Sequence, residues 1–463
     1  MSRRAPVRRP SPPLKSQARE RERPVREDLI TQACLEAYGA VRRDGRLADR
    51  ALDFTLRHKT NLYARERRLV AERVYALLRR QRTVEALLER VRPGVDRLPA
   101  SRQDALRLAA SRVLEGESVS RVLHGTGVLS ADVEALHAIP EAARVMKEGA
   151  SAPDQFAVWA SLPDFIAEKF LAAFGAEAPR AAEAMNARAP LFARVNTLKA
   201  DRAALIRELS REGVSAHATT LSPLGVELET RINAFSLDAF KRGLFELQDE
   251  GSQLLGMLVD PPPTRVVDAC AGAGGKALQL SAEMKNRGEL FALDIDEGRL
   301  EELRKRARRD GVHNVRVPVL PEDSAAVEEA LRDLEGRADR VLVDAPCSGS
   351  GTFRRKPDAR YRLTPESLQA HVERQRRLLH QFSALVKPGG RLVYGTCSVF
   401  RDENEDVVEA FLNEHPAFEV LPVKDVLGEA LGQRVSPDGR FLRLSPHLQG
   451  TDGFFGAVLK KTC

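Results

Sequence analysis

The stretch Asp268-Ala-Cys-Ala-Gly-Ala-Gly-Gly-Lys276 follows an apolar run and opens a helical segment. Glycines at such a position let the backbone approach a ligand closely, and the start of the helix supplies free amide groups. Gly272, Gly274 and Ala277 satisfy the loose dinucleotide pattern G-x-G-x-x-G/A. Cys270 and Ala277 stand where the P-loop pattern needs Gly and Ser/Thr. The loop therefore predicts a nucleotide-like cofactor, and NAD remains possible on this evidence.

Strand-like and helix-like segments alternate from this loop onward. In chain order the predictions are strand 265–270, helix 275–285, strand 289–294, helix 297–309, strand 315–320, helix 323–334, strand 340–345, helix 365–386, strand 391–396 and helix 403–413. This alternation predicts an α/β domain with a doubly wound, mostly parallel sheet, whose ligands bind beyond the carboxyl ends of the strands.

Two carboxylates bear on the choice of cofactor. Asp268, just before the loop, would lie unfavourably near an anionic pyrophosphate but favourably near the sulfonium and ammonium groups of S-adenosylmethionine. Asp294 ends the second predicted strand and is placed to accept the ribose hydroxyls of either cofactor. Together they favour S-adenosylmethionine.

Two cysteines follow predicted strands. Cys347 lies in Val343-Asp-Ala-Pro-Cys-Ser-Gly-Ser-Gly351, and Cys397 lies in Gly390-Arg-Leu-Val-Tyr-Gly-Thr-Cys-Ser398. Both occupy Gly- and Ser-rich loops at the ligand edge of the sheet, which favours chemistry over packing. The five cysteines of the chain form no C-x-x-C or Cys/His pattern, so neither a disulfide framework nor a metal site is predicted.

The chain before the sheet divides into three parts. Residues 1–26 contain nine basic and two acidic residues and so carry the whole formal net charge of +7. Such a tail either solubilises the chain or binds phosphates. Helical periodicity predicts an all-α bundle over residues 27–148, with Cys34 in its core, and mixed patterns predict linker helices and a small α+β module over 149–260. With no apolar run long enough for a membrane span and no signal-like start, a cytoplasmic protein is expected.

Several motifs together resemble the Fmu/Sun family of RNA cytosine-5 methyltransferases. They are Arg194-Val-Asn-Thr-Leu-Lys199, Gln248-Asp-Glu-Gly-Ser-Gln-Leu254, the first glycine loop, Asp344-Ala-Pro-Cys-Ser-Gly-Ser-Gly351, Gly395-Thr-Cys-Ser398 with Glu403-Asn-Glu405, and Gly450-Thr-Asp-Gly-Phe-Phe455. The helical N-terminus resembles the NusB-like RNA-binding domain of bacterial small-subunit rRNA members. The resemblance implies a monomeric enzyme with a Rossmann-like methyltransferase domain over residues 261–463. It also implies S-adenosylmethionine as cofactor and rRNA as the RNA partner.

The resemblance also assigns roles to residues. A thiolate must add to carbon 6 of cytosine before carbon 5 can attack a methyl group, and the family places this nucleophile at Cys397. Cys347 would assist proton removal or product release, and Asp344 would hydrogen-bond the cytosine ring nitrogen. The residues expected to bind the cofactor are Cys270, Ala271, Gly272, Ala273, Gly274, Gly275, Lys276, Asp294, Asp323 and Asp344.

Basic residues directly follow the Pro-Cys-Ser loop, and beside a base pocket they favour phosphate contacts with RNA. They are Arg354, Arg355, Lys356, Arg360 and Arg362. A tRNA cytosine-5 methyltransferase and a non-catalytic RNA-binding or assembly protein remain alternative functions. An amino-directed methyltransferase is disfavoured, because attack by an exocyclic amine needs no enzyme thiol.

Overall fold

The computed structural model describes residues 24–149, 153–229, 232–321 and 324–462. It forms two compact units, of which the first comprises Met1–Ala167 with Lys356–Tyr361 and the second Glu168–Arg355 with Arg362–Cys463. Most of the predicted basic tail, residues 1–23, lies outside the described part of the chain. Among the described residues, every helix is too short or too polar to cross a membrane.

The first unit is helical, as the sequence predicts. Its helices are α1 (Glu27–Arg42), α2 (Ala48–His58), α3 (Ala64–Arg79), α4 (Gln81–Val91), α5 (Ala100–Leu114), α6 (Val119–Leu123), α7 (Val133–Glu148) and α8 (Pro153–Ala160). The predicted apolar stripes meet in one core, where Ala33, Ala37, Val74 and Leu77 are fully buried. Cys34 belongs to this core, and burial raises the pKa of its thiol to about 12. It is a packing residue.

The second unit begins with helices and a small antiparallel sheet, which confirms the predicted small α+β module. The elements are α9 (Asp164–Phe174), α10 (Ala178–Asn186), β1 (Leu191–Val195), α11 (Arg202–Arg211), β2 (Ala216–Ala218), β3 (Gly225–Leu228), α12 (Asp238–Lys241), β4 (Phe245–Leu247) and α13 (Glu250–Met257). The strands are ordered β2-β3-β1-β4. Leu205 and Leu209 on one face of α11 pack into the same core as Val226 and Phe245 of the sheet.

A larger mixed sheet follows. Its elements are β5 (Arg265–Asp268), α14 (Gly275–Glu283), β6 (Glu289–Ala292), α15 (Glu297–Asp310), β7 (Val315–Arg316), α16 (Ser324–Leu331), β8 (Ala338–Asp344), α17 (Pro365–Ser383), β9 (Val386–Thr396), α18 (Glu405–Glu414), β10 (Phe418–Leu421), α19 (Lys424–Leu427), α20 (Glu429–Val435), β11 (Leu442–Leu444), α21 (Pro446–Gln449) and β12 (Phe454–Lys461). The order is β10-β12-β9-β8-β5-β6-β7, with β11 also paired to β12.

The sheet is parallel from β7 to β9 and antiparallel where β12 joins β9, β10 and β11. The antiparallel strands were not among the sequence predictions, so the sheet is more mixed than expected. Alternate residues of its strands enter different cores: Val266 packs with helices α13 to α15, whereas Val267 packs with α16 to α18. Helices therefore cover both faces, which explains the nearly continuous apolar runs of these strands.

Two strand predictions were wrong by four or five residues, whereas the others differ from the observed strands by at most two residues at either end. The predicted strand 315–320 ends as a ladder at Arg316, because Pro318 has no N–H to donate to the neighbouring strand. Pairing resumes only as an isolated bridge between Asp294 and Val319. The strand predicted at 391–396 begins already at Val386, before the pair Gly389-Gly390.

Candidate active site

The first glycine loop joins β5 to α14 with two residues in the left-handed region. Gly272 has a φ of +52° and Gly274 a φ of +87°, which L side chains rarely adopt. A Cβ on Gly274 would also lie 2.5 Å from Cγ of Leu303 on α15. Arg306 of α15 donates to the Ala273 carbonyl at 2.6 Å, which fixes the loop from the same side. The glycine pattern is therefore needed for the path of the backbone as well as for a ligand.

Asp294 follows the end of β6, at the position predicted for the ribose acceptor. One carboxylate oxygen accepts from the Gly272 amide at 2.8 Å, and the other accepts from the Asp296 amide at 2.9 Å. These contacts orient the carboxylate and connect it to the glycine loop. Each oxygen keeps a second lone pair for a ligand hydroxyl.

Asp268 lies beneath the loop and is 1% exposed. Within the described part of the chain, neither of its carboxylate oxygens forms a hydrogen bond of normal geometry. Burial, together with the nearby charge of Asp344, raises the pKa of Asp268 to about 7. A buried acid with so little compensation favours a cationic ligand beside it.

A cavity of about 1230 Å³ opens beyond the carboxyl ends of the parallel strands. Its wall includes residues 269–272 of the glycine loop, Asp294, Asp344 and both loop cysteines, whereas Ala273, Gly274, Gly275 and Lys276 do not line it. Beside Asp294 the lining is apolar, with Ile295 and Leu320. From one end to the other, the cavity thus has an apolar wall, a ribose acceptor at Asp294 and a negatively charged side chain at Asp344. This order suits an adenosyl group that carries a cationic tail.

The two thiols meet in this cavity, as their positions at adjacent strand ends predict. The Sγ atoms of Cys347 and Cys397 are 3.3 Å apart. Contact with the Cys397 sulfur and burial raise the pKa of the Cys347 thiol well above its usual range. Cys347 is therefore protonated at neutral pH, and the pair holds at least one proton.

Asp344, the last residue of β8, forms an ion pair that the sequence did not predict. Its carboxylate is 2.6 Å from the Lys276 Nζ of the glycine loop. Burial acts to lower the pKa of Lys276, yet the adjoining Asp344 more than offsets this and leaves the pKa above its ordinary value. Lys276 thus remains a cation between the glycine loop and the cysteine loops.

Comparison with known proteins agrees with this geometry. The family model described as 16S rRNA methyltransferase RsmB/F matches residues 257–460, and the RsmF/B-like ferredoxin-like domain matches residues 162–234. A probable ribosomal RNA small subunit methyltransferase B of Synechocystis is 31% identical, covering 91% of this chain and 96% of its own length. The chain belongs to the RsmB/F methyltransferase family. The resemblance to Fmu/Sun enzymes is confirmed.

Two further proteins are similar to this chain. The ribosomal RNA small subunit methyltransferase B of Thermus thermophilus is 33% identical over 91% of this chain and 95% of its own length. A crystal structure of a methyltransferase homologue from Pyrococcus horikoshii is 31% identical and aligns with a TM-score of 0.55, covering 66% of this chain and 97% of that one.

As an RsmB/F methyltransferase the protein uses S-adenosylmethionine, and the residues of the cavity fit it. Asp294 would accept the ribose hydroxyls, and Ile295 and Leu320 would flank the adenine. Asp268 does not line the cavity, but from beneath the glycine loop its charge would favour the positive groups of the methionine part, in the way the sequence predicts. Asp323, predicted as a further contact, lies outside the described residues.

The predicted phosphate-binding cluster is largely wrong. The Arg354 side chain is 4% exposed and pairs with Asp452, and Arg355 pairs with both Asp452 and Asp249. Arg360 is 1% exposed in the helical unit, where its guanidinium donates to the Arg79 carbonyl at 3.0 Å. These three guanidinium groups are held by contacts within the protein.

Replacing Asp294 tests the cofactor assignment. Asp294→Ala removes charge-assisted hydrogen bonds and should weaken S-adenosylmethionine binding by about 1.5–3 kcal/mol while RNA affinity stays nearly intact. Calorimetric titration measures the change. Unchanged cofactor affinity, or a preference for NAD, would contradict the assignment.

The raised pKa of Asp268 should make cofactor binding depend on pH. A cationic ligand favours the ionised carboxylate, whereas the empty site holds it half protonated near its pKa of about 7. Affinity for S-adenosylmethionine should therefore rise about tenfold between about pH 6 and pH 8, and Asp268→Asn should abolish this slope. Titrations at both pH values provide the test, and equal slopes for the two proteins would refute it.

Asp268 should also make the stability of the protein depend on pH. Stability should fall as pH rises, whereas cofactor affinity should increase. Because the pKa of Asp268 is higher in the folded protein than the value of about 4 expected in the unfolded chain, stability is lost as pH rises through about 7. Asp268→Asn should therefore raise the melting temperature at about pH 8 and have little effect at about pH 4.

Proposed function

We propose that this protein transfers a methyl group from S-adenosylmethionine to carbon 5 of a cytosine in small-subunit ribosomal RNA. The observation that carries the proposal is the meeting of two thiols, 3.3 Å apart, in one cavity with Asp344 and the glycine loop. Transfer to an amino group needs neither thiol, and a non-catalytic RNA-binding protein needs neither thiol nor cofactor cavity. The names of the curated relatives support rRNA over tRNA as substrate.

The residues divide the chemistry between them. The Cys397 thiolate adds to carbon 6 of the cytosine. The ring nitrogen gains electron density and takes up a proton from water, and this N–H donates to the Asp344 carboxylate, which Lys276 positions, until the proton is given up again when the adduct breaks. Bound S-adenosylmethionine supplies an electrophilic methyl group to carbon 5. Loss of the carbon-5 proton to water then restores the double bond as the bond between Cys397 and carbon 6 breaks. Cys347, kept as a thiol, can return a proton to the departing sulfur.

The remaining expectations belong to this proposal. Residues 27–148 would form a NusB-like RNA-binding domain, 149–260 a pre-catalytic module and 261–463 the methyltransferase domain. The enzyme would act as a monomer in the cytoplasm, where its RNA substrate would be found.

Tritium release distinguishes these functions. Small-subunit rRNA labelled with tritium at carbon 5 of cytosine should lose tritium in proportion to methyl transfer, since methylation replaces that hydrogen. Methyl transfer without tritium release would point to an amino group, and absence of both would leave an RNA-binding protein. A preference for labelled tRNA under the same conditions would replace rRNA as the substrate.

A further inference from the structure

The buried carboxylate of Glu403 has a role that the proposed reaction does not yet use. Glu403 ends the short turn Arg401–Glu403 after β9, and it is completely buried. One of its oxygens accepts from the Ser348 amide at 2.8 Å and from Gln375 Nε2 at 3.0 Å. The other oxygen accepts from the Ser348 hydroxyl. All three donors are uncharged.

These contacts hold both neighbours of Cys347. Ser348 is bound directly by Glu403, and Gln375 of α17 donates to the carbonyl of Pro346 at 3.0 Å. Gln375 is itself fully buried, and its Nε2 donates to both the Pro346 carbonyl and Glu403. Cys347 therefore lies between two residues that one carboxylate and one amide hold in place.

Serine hydroxyls extend this arrangement to the second thiol. The Ser350 hydroxyl lies 2.9 Å from the Ser398 hydroxyl and accepts from the Val399 amide at 2.9 Å. The Gly351 amide donates to the Cys397 carbonyl at 2.9 Å. The loop of Cys347, which Glu403 fixes, is thus hydrogen-bonded to the loop of Cys397. The separation of the two sulfurs therefore depends on the position of both loops.

Packing alone does not account for a carboxylate at this position. Burying a negative charge among neutral donors costs free energy that a glutamine, which could accept the same amide hydrogen bonds, would avoid. The charge acts on Cys347, because Glu403 adds to the sulfur contact and the burial that raise the pKa of this thiol.

We propose that Glu403 is the positioning residue that fixes Cys347 for release of the methylated RNA from Cys397. This inference rests on the proposed function. Glu403 touches neither thiol directly, and it acts through Ser348 and Gln375. Its negative charge keeps the proton on Cys347 while the adduct exists, and the held thiol lies 3.3 Å from the Cys397 sulfur that departs.

The kinetic test separates release from methyl transfer. Glu403→Gln keeps the shape of the side chain but removes its charge. Transfer in a single turnover should stay within about twofold of wild type, whereas steady-state turnover should fall about tenfold or more and a covalent protein–RNA adduct should accumulate. The Michaelis constant for RNA should fall together with turnover, so that kcat/KM stays close to wild type, because the slowed step follows adduct formation. Equal steady-state turnover in the variant and wild type would overturn the proposal, as would equal losses in both measurements.

A chemical test needs no RNA. In a Cys397→Ala background, alkylation of Cys347 by iodoacetamide at neutral pH, followed by peptide mass spectrometry, should be at least about threefold faster with Glu403→Gln, because more thiolate is present. An unchanged alkylation rate would refute the proposed effect of the Glu403 charge on the Cys347 thiol. If wild-type protein fails to methylate RNA, the proposed function fails while this measurement still tests Glu403.

Two further variants guard against trivial results. Glu405→Gln removes a carboxylate two residues away that pairs with Arg443 at 2.7 Å, and it should behave as wild type in both tests. Glu403 and Gln375, which hold Ser348 and Pro346 on either side of Cys347, form a clamp. Gln375→Met removes the Gln375 half of this clamp while leaving Glu403 charged. It should accumulate adduct without faster alkylation, and it preserves the test if Glu403→Gln does not fold. Wild-type release by Gln375→Met would contradict the clamp.

Discussion

A covalent protein–RNA adduct that survives denaturing electrophoresis is expected to accumulate with Cys347→Ala and to be absent with Cys397→Ala. If Cys397 attacks carbon 6, its removal prevents bond formation and should lower methylation by about 10⁴-fold or more. Without Cys347 the bond still forms and the methyl group is still transferred. The departing sulfur then lacks the thiol 3.3 Å away, so release slows.

The experiment uses labelled rRNA with S-adenosylmethionine and compares adduct with methyl incorporation. Cys34→Ala, which removes a thiol from the core of the helical unit, serves as the matched control and should behave as wild type. An adduct with Cys397→Ala and none with Cys347→Ala would reverse the two roles. Full activity of both variants would remove the covalent mechanism altogether.

Asp344→Asn should reduce methyl transfer by about 100- to 1000-fold, the range for a lost acid–base group. The carboxylate is expected to accept a hydrogen bond from the ring N–H that forms as Cys397 adds, and a neutral amide stabilises that protonated ring less. The loss should appear in kcat measured with saturating RNA. S-adenosylmethionine affinity should change much less, because Asp294 and the glycine loop remain.

Asp339→Asn is the matched control for this substitution. Asp339 lies on the same strand, β8, where it pairs with Lys387 and accepts from the Thr264 hydroxyl at 2.8 Å, and it does not line the cavity. Its replacement should leave kcat unchanged. An Asp344→Asn enzyme with normal kcat but poor cofactor affinity would make Asp344 a cofactor ligand only.

The sequence was most informative where a pattern is local. The glycine loop, the acid ending β6 and the cysteines after β8 and β9 follow from strand ends and turn residues, and parallel strands necessarily bring their carboxyl ends to one edge. The length of β7 was predictable in principle, since Pro318 is visible in the sequence, but the apolar pattern outweighed it.

Contacts between distant parts of the chain were not predictable in this way. Lys276 pairs with Asp344, which is 68 positions away in the sequence, and Glu403 accepts from Ser348, which is 55 positions away. For Arg354 and Arg355 the sequence favoured phosphate contacts, because their carboxylate partner, Asp452, lies about a hundred positions away. A charge run shows its sign in the sequence, but whether it faces solvent depends on which acids the fold brings to it.

The two-residue strand β7 also affects how the protein avoids self-association. It forms one edge of the large sheet, and an exposed edge of free N–H and C=O groups can template pairing with another molecule. Pro318 removes one donor and ends the ladder after Arg316, while the charged Arg316 side chain projects from the strand that remains. The same proline that shortens the strand therefore gives the edge little capacity to recruit a second chain during synthesis, when many copies fold at once.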